Sequence, residues 1–431
     1  MIIPKIETQS KTEIKSFQEK KLREQLNYLN INSKFYKQLF LKHNIDINSI
    51  KTLEDLTKIP VTTKDDLQSR NKDFLCVDET QIIDYLSTSG TLGEPVIFTM
   101  TENDLERLAY NEQISFTCAD AKKSDIFQLM VTIDRLFMAG MAYYSGIRKL
   151  GAGVVRVGPG NPELQINTIR RISPTALVTV PSFLIKLIDF AEKNNINLND
   201  TTITKAICIG EPIRNNNFEL NTLGKRITDK WNIKLYSTYA STEMGTAFTE
   251  CEKGIGGHHH PEMIIVEFLD ENNQAVKEGE AGEVTITNLG VEGMPLLRFK
   301  TGDICTHYTE PCECGRNTMR LGPVIGRKQQ MIKYKGTTLY PPALYDILNE
   351  IEDIDNYIVE VSTNDIGTDD ILIKIGSEIN NPIFIKSIKN FFRAKIRVAP
   401  EIKIYKPKEI AKLIMPEGSR KAISFIDKRI H

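Results

Sequence analysis

The sequence has no excess of either charge: 55 Lys+Arg stand against 56 Asp+Glu in 431 residues, a formal net charge of -1 at pH 7. No whole-chain field exists to recruit nucleic acid or an anionic membrane, so a small molecule is the better-suited partner. Long apolar runs are scarce as well. Residues 1–30 alternate Lys and Glu with isolated Ile and Leu, which lacks the unbroken apolar stretch of a signal peptide or membrane anchor and sets the expectation of a cytoplasmic protein. Seven cysteines in irregular spacing exclude a regular disulfide scaffold and are expected to be reduced thiols. Internal repeats, low-complexity tracts and coiled-coil heptads are lacking too.

What is present is an ordinary globular composition, 41% hydrophobic, in a chain long enough for two or more domains. Between Glu13 and Lys42, Ile14, Phe17, Leu22, Leu26, Leu29, Phe35 and Leu39 recur at three- and four-residue spacings, which predicts two amphipathic helices. From Asp84 onward the apolar runs DIFQLMVTI, GAGVVRVG, ALVTVPS, KAICIGEPI and IKLYSTYAS alternate with helical patterns. Such alternation predicts an α/β fold whose mostly parallel sheet is covered by helices on both faces. After about Gly257 two strand-like runs joined by a polar, Gly-containing turn predict an antiparallel hairpin in a β-subdomain over about 258–325. The rest alternates strands with the helical stretches PPALYDILNEI and PIFIKSIKNFFRAKI, as a small α+β domain would. The expected division is 1–327 and 328–431.

The stretch YLSTSGTLGEP, residues 85–95, follows an apolar strand end with hydroxyls, exposed N–H groups and glycines that let a ligand approach. Those are the properties of a phosphate-cradling turn. It is neither Gly-x4-Gly-Lys-Ser/Thr nor Gly-x-Gly-x-x-Gly, and taken alone it reads first as a plain surface loop. Three further stretches add weight: YASTEMG at 239–245, LLRFKTGDI at 296–304 and PEGSRKAISFIDKR at 416–429.

In their order and spacing, together with ISPTALVTVPSFLIKLID, IGEPI and GRKQQMIKYKG, these motifs resemble the adenylate-forming superfamily, and most closely its phenylacetate-CoA ligase branch. The resemblance implies a large AMP-binding domain, a small mobile C-terminal domain, and a two-step reaction. A carboxylic acid, expected from this branch to be an aryl acid such as phenylacetate, and ATP give an acyl-adenylate, which coenzyme A converts to a thioester. Both substrates are anionic, so Mg2+, hydroxyls and a lysine must neutralise their repulsion.

Carried over by motif, Ser87, Thr88, Ser89, Gly90, Thr91 and Gly93 form the phosphate loop, with Glu94 where relatives often have Lys. Gly210, Glu211 and Pro212 line the adenine, and Tyr239, beside Ala240 and Ser241, offers it a flat face. Thr242 contacts the α-phosphate and Glu243 associates with Mg2+. Asp303 takes both ribose hydroxyls with Arg327 nearby, and Gln329 is the hinge. Lys421 is the adenylation cation, and Gly336 lets the thiol arm of coenzyme A pass. A homodimer is a further family expectation.

Cys312 and Cys314 in CECG, with Cys251 and His258 from another segment, suit a tetrahedral structural Zn2+. His259 is the rival fourth ligand, and free thiols beside solvated histidines are the alternative. Cys76, Cys118, Cys208 and Cys305 read as buried small residues. Phe137, Met138, Met141 and Tyr143 suit either an apolar acid pocket or plain core. Two other functions stay open on these residues: transfer of the acyl group to a carrier-protein thiol, and a nucleotide-binding regulator whose catalysis has decayed.

Overall fold

The computed structural model describes residues 3–88, 96–335, 337–364, 368–416 and 422–429. By its internal contacts the chain divides into two compact units, Met1–Leu220 with Gly224–Val324, and Ile325–His431 with Asn221–Leu223.

The first unit begins with α1 (Lys11–Asn32), α2 (Lys34–Lys42) and α3 (Lys64–Ser69). Ser10 accepts from Glu13 N while Glu13 reaches back, a capping box that satisfies end groups no helix can pair internally. The stripe Leu22, Leu26 and Leu29 is fully buried in the same core as Phe35, Tyr36 and Phe74. Next come β1 (Asp84–Ser87) and β2 (Ile97–Met100), an antiparallel pair registered Asp84 to Met100 and Ser87 to Ile97, and then α4 (Glu102–Cys118).

The main sheet follows: β3 (Ile126–Leu129), α5 (Met138–Leu150), β4 (Gly153–Arg156), α6 (Pro162–Ile172), β5 (Ala176–Thr179), α7 (Pro181–Lys193), β6 (Lys205–Cys208), α8 (Thr222–Lys230), β7 (Lys234–Ser241) and β8 (Thr246–Thr249). Its order is β4-β3-β5-β6-β7-β8, with every pairing parallel except the last. The inner strands β5 and β6 are buried at every position, as expected where helices cover both faces. The alternation of apolar runs with helical patterns foretells this α/β layer. It does not reveal the antiparallel edge β8 or the β1–β2 hairpin, because strands of four residues give little period to read.

Beyond β8 lie β9 (Gly257–His258), β10 (Ile264–Leu269), β11 (Gly282–Asn288), β12 (Phe299–Cys305), β13 (His307–Tyr308) and β14 (Arg320–Leu321). Strands β10, β11 and β12 form an antiparallel sheet, and β13, β14 and β9 a smaller one. The hairpin read from residues 264–288 is β10–β11, registered Ile264 to Asn288.

In the second unit Asn356–Thr363 and Asp369–Gly376 pair antiparallel, flanked by parallel neighbours Phe425–Asp427 and Glu401–Tyr405. Helices Pro341–Asn349, Pro382–Ile396 and Pro407–Ile414 belong to the same unit. Its own core holds Ile332, Leu344, Val359, Ile373 and Phe392. Among the described residues no helix is long and apolar enough to cross a membrane.

Candidate active site and metal cluster

The connection from β7 to β8 is the tight turn Thr242, Glu243, Met244 and Gly245, closed by the pair Ser241 and Thr246. Met244 is fully buried and anchors it, and Gly245 has φ +53, a left-handed backbone that favours glycine. Side chains from outside the turn hold its carbonyls. Arg107 Nη1 on α4 donates to Gly245 O (2.8 Å), and Asn288 Nδ2 on β11 donates to Met244 O (2.8 Å) and Glu243 O (3.4 Å). Arg107 also donates to Leu289 O (2.8 Å) and Met263 O (2.5 Å). With the backbone fixed this way, the half-buried side chains of Thr242 and Glu243 are the variable part. They border a cavity of about 30 Å³, together with Phe98, Met138, Val291 and Met294. That is room for a water molecule or two and not for an aryl ring.

At the end of the same strand Tyr239 Oη donates to Asp303 Oδ2 on β12 (2.8 Å), joining two stretches singled out separately in the sequence. Burial, and next the adjacent Asp303, push the Tyr239 phenol well above its usual range, so it stays a donor. Its ring lies 6.1 Å from that of Phe248, nearly parallel. Gly210 has φ +74 with open space where a Cβ would be. Glu211 serves the scaffold, because its carboxylate accepts from Ser182 N and Ser182 Oγ (both 2.9 Å) at the start of α7. Burial raises its pKa despite those bonds.

Ser87 and Thr88 close the β1–β2 hairpin. Thr88 N donates to Val96 O (3.0 Å) and Thr88 Oγ1 accepts from Val96 N (3.2 Å). Ser89, Gly90, Thr91, Gly93 and Glu94 lie outside the described residues, as do Gly336 and Lys421. Arg327 and Gln329 belong to the second unit, where Gln329 O accepts from Arg429 Nη2 (2.9 Å). Of the residues weighed for an acid pocket, Tyr143 packs in the core beside Phe116 and Phe127, Met141 is 41% exposed, and Met138 borders the cavity described above.

The Cys/His residues form a second assembly. The ligand atoms of Cys251, His258, Cys312 and Cys314 lie within 4.8 Å of one another. Cys251 Sγ is 3.7 Å from Cys312 Sγ, and Cys314 Sγ is 3.4 Å from His258 Nε2. A tetrahedral Zn2+ with bonds of about 2.3 Å to sulfur and about 2.0 Å to nitrogen needs edges of about 3.8 Å and about 3.5 Å, so the donor set and its spacing fit that ion. His259 is elsewhere: its Nε2 is 2.6 Å from Ile264 O. Nor are the histidines solvated, since all three of His258, His259 and His260 are buried. Pairing of β9 with β14, His258 opposite Arg320, sets the two ligand segments side by side. Hydrogen bonds from Cys251, His258 and Arg316 hold the Cys314 thiol far below its usual range. The bond to Cys314 raises Cys251 in turn. Cys76, Cys118, Cys208 and Cys305 are buried free thiols.

A family model described as AMP-binding enzyme matches residues 16–292. The chain belongs to the AMP-binding enzyme family. Within that adenylate-forming superfamily it falls in the phenylacetate-CoA ligase-like branch. It is 26% identical over 389 residues to the phenylacetate-coenzyme A ligase of Thermus thermophilus, covering 89% of this chain and 85% of that one. With the Escherichia coli phenylacetate-coenzyme A ligase the figures are 25% over 369 residues, 83% and 81%. Its fold is similar to that of 2-hydroxyisobutyryl-CoA ligase, a structure solved in the postadenylation state, with a TM-score of 0.85, 21% identity and coverage of 99% of this chain and 92% of that one.

For a member of this family the sequence motifs leave out the supports. Arg107 and Asn288 stand in no motif, because a residue that grips a carbonyl is recognised only once the carbonyl is placed. Glu7 is another such residue. It is fully buried, with Oε1 2.5 Å from His260 Nδ1 and Oε2 accepting from Arg316 Nε (2.7 Å). Burial would raise its carboxyl, but His260 and Arg316 outweigh that and hold it below the usual range. In the sequence it is one Glu in a Lys- and Glu-rich run, and no local signal separates it from its neighbours.

Proposed function

We propose that this AMP-binding enzyme is an AMP-forming acid–CoA ligase acting on an aryl acid such as phenylacetate. The Tyr239–Asp303 hydrogen bond carries the reading, because it joins the adenine-side and ribose-side motifs in one site beside the Thr242–Glu243 turn. In the first step a carboxylate oxygen of the acid forms a bond to the α-phosphorus of ATP, and the bond to the bridging oxygen breaks, releasing pyrophosphate. In the second the sulfur of coenzyme A attacks the acyl carbon, the carbon–oxygen bond breaks, AMP leaves, and the thiol proton passes to solvent.

In this reading Glu243 is the hard oxygen ligand, Thr242 donates toward the α-phosphate, Asp303 accepts from the ribose, and Lys421 offsets the charge of the transition state. Mg2+, when bound, neutralises the phosphates. The aryl preference rests on the names of the relatives, so the acid panel must also include short aliphatic acids. Zn2+ is the ion we assign to Cys251, His258, Cys312 and Cys314. Four protein ligands leave no open position, which makes it structural.

The test is ATP–pyrophosphate exchange over aryl and short-chain acids, with the unmodified protein and Lys421→Ala, followed by addition of coenzyme A. Acid-dependent exchange, lost in the variant and followed by thioester, is the expected result. Exchange without a CoA product would point to a carrier-protein thiol, and no exchange with any acid would overturn the ligase reading.

A further inference from the structure

The turn Lys5–Thr8 lies against the loop that carries Cys312 and Cys314, and its attachments are directional. Asn317 N donates to Glu7 O (2.7 Å), and Asn317 Nδ2 donates to Thr8 O and Gln9 O (both 3.0 Å). Glu7 Oε2 holds Arg316 Nε, and Arg316 Nη1 in turn lies 3.5 Å from Cys314 Sγ as a donor. The other carboxylate oxygen faces His260 Nδ1, and Ser115 Oγ on α4 lies 3.4 Å from His260 Nε2. Both Glu7 and Arg316 are 0% exposed, and among the described residues Arg316 Nη2 is buried without a hydrogen-bond partner. A buried guanidinium left partly unpaired is costly unless a negative group lies beside it. Three thiolates around a dication carry one surplus negative charge, which Arg316 is placed to balance.

We propose that Glu7 is a positioning residue of the metal centre: it aims Arg316 at the Cys314 sulfur, so that retention of Zn2+ and docking of the Lys5–Thr8 turn depend on one carboxylate. The proposal rests on the assignment of Zn2+ to the four ligands. Groups that orient metal ligands from outside the coordination sphere typically change metal affinity by about 10–100-fold. Coupling also runs the other way: without the metal, Cys314 Sγ is no longer fixed as the acceptor that Arg316 Nη1 reaches, and the turn loses a reason to stay docked.

Two measurements on the full chain test this. In the first, Zn2+ transfer from the zinc-loaded protein to a chromophoric chelator is timed for the unmodified protein, Glu7→Gln and Asn317→Ala. Glu7→Gln should release the metal at least about tenfold faster, while Asn317→Ala, which removes the side-chain bonds to Thr8 O and Gln9 O and leaves Glu7 and its backbone bond intact, stays near the unmodified rate. Equal rates for Glu7→Gln and the unmodified protein would overturn the proposal. So would equal acceleration in both variants, which would mean that any loosening of the turn suffices. The second needs no variant: hydrogen exchange of residues 3–10 is compared with and without Zn2+, and should rise on metal removal. Unchanged exchange would sink the coupling. If the unmodified protein takes up no Zn2+ at all, the metal assignment itself falls and the proposal with it, a result distinct from the others because it appears before any variant is made.

Discussion

The Thr242–Gly245 turn and the Cys/His cluster are held in opposite ways. In the turn, the backbone carbonyls are gripped by half-buried Arg107 and buried Asn288, and the side chains of Thr242 and Glu243 stay partly exposed. In the cluster, the side chains themselves converge, with Cys251, His258 and Cys312 buried and their donor atoms facing one another. The first arrangement suits something that arrives and leaves, since nothing need be broken to admit it. The second suits a resident, since four ligand atoms already converge within 4.8 Å of one another. What a site is for is legible in which part of each residue is immobilised.

The sharpest way to break this comparison is to exchange the effects. Glu243→Gln should cut acid-dependent ATP–pyrophosphate exchange by about 10²-fold or more with thermal stability close to that of the unmodified protein. A matching loss of stability would show that Glu243 is structural. Cys314→Ser should do the reverse: metal retention, read by elemental analysis, should weaken by more than the roughly 10–100-fold typical of outer partners. Exchange activity per folded molecule should be nearly kept.

A smaller effect is expected from Arg107→Lys, which keeps the charge but loses the fork that reaches three carbonyls. Leaving buried carbonyls unpaired costs about 1–3 kcal/mol each, so chemical denaturation should show a loss of that order, with the exchange rate lowered more than the apparent affinity for ATP. Tyr239→Phe removes one hydrogen bond to Asp303, a loss of about 1 kcal/mol visible as a modest rise in KM for ATP.

The helix α4 reaches both regions, through Arg107 to the turn and Ser115 to His260, and between these lies buried Glu112. Burial pushes its carboxyl up to about 8 against a weaker opposing bond from Asn111. Folded protein then holds a proton that unfolded chain releases near 4.5, so stability falls as pH rises from there toward 8, by at most about 1.4 kcal/mol per unit. Glu112→Gln should flatten that slope in melting temperatures taken across the range. An unchanged slope would assign the pH dependence to other groups.

Much of the α/β layer was legible because its strands fall in short, mostly apolar runs and its helices lie between them. The hairpin at 264–288 was legible from its polar turn. The edge strand β8 was not, because four residues of TAFT carry no period, and its direction follows from a turn whose geometry depends on Gly245. In the site, YASTEMG and TGDI stood out by residue type, but their meeting through Tyr239 and Asp303 is a fact of tertiary structure. Glu211 has a contact that its motif does not announce: its carboxylate accepts from Ser182 N at the start of α7. His258 and His259 could not be separated from the sequence, since adjacent residues on a strand face opposite sides and only the register of β9 decides between them.

Glu243 and Cys251 stand eight residues apart on one continuous piece of chain, with β8 as the measured length between them. Because side chains alternate along a strand, inserting or deleting a single residue there would turn every later side chain to the other face. It would therefore spoil the metal ligand if the turn held its place, or the turn if the ligand held. Between these two positions the gene can change letters but not its count: the interval is a ruler, and any viable length variant of this protein must carry its insertion somewhere else.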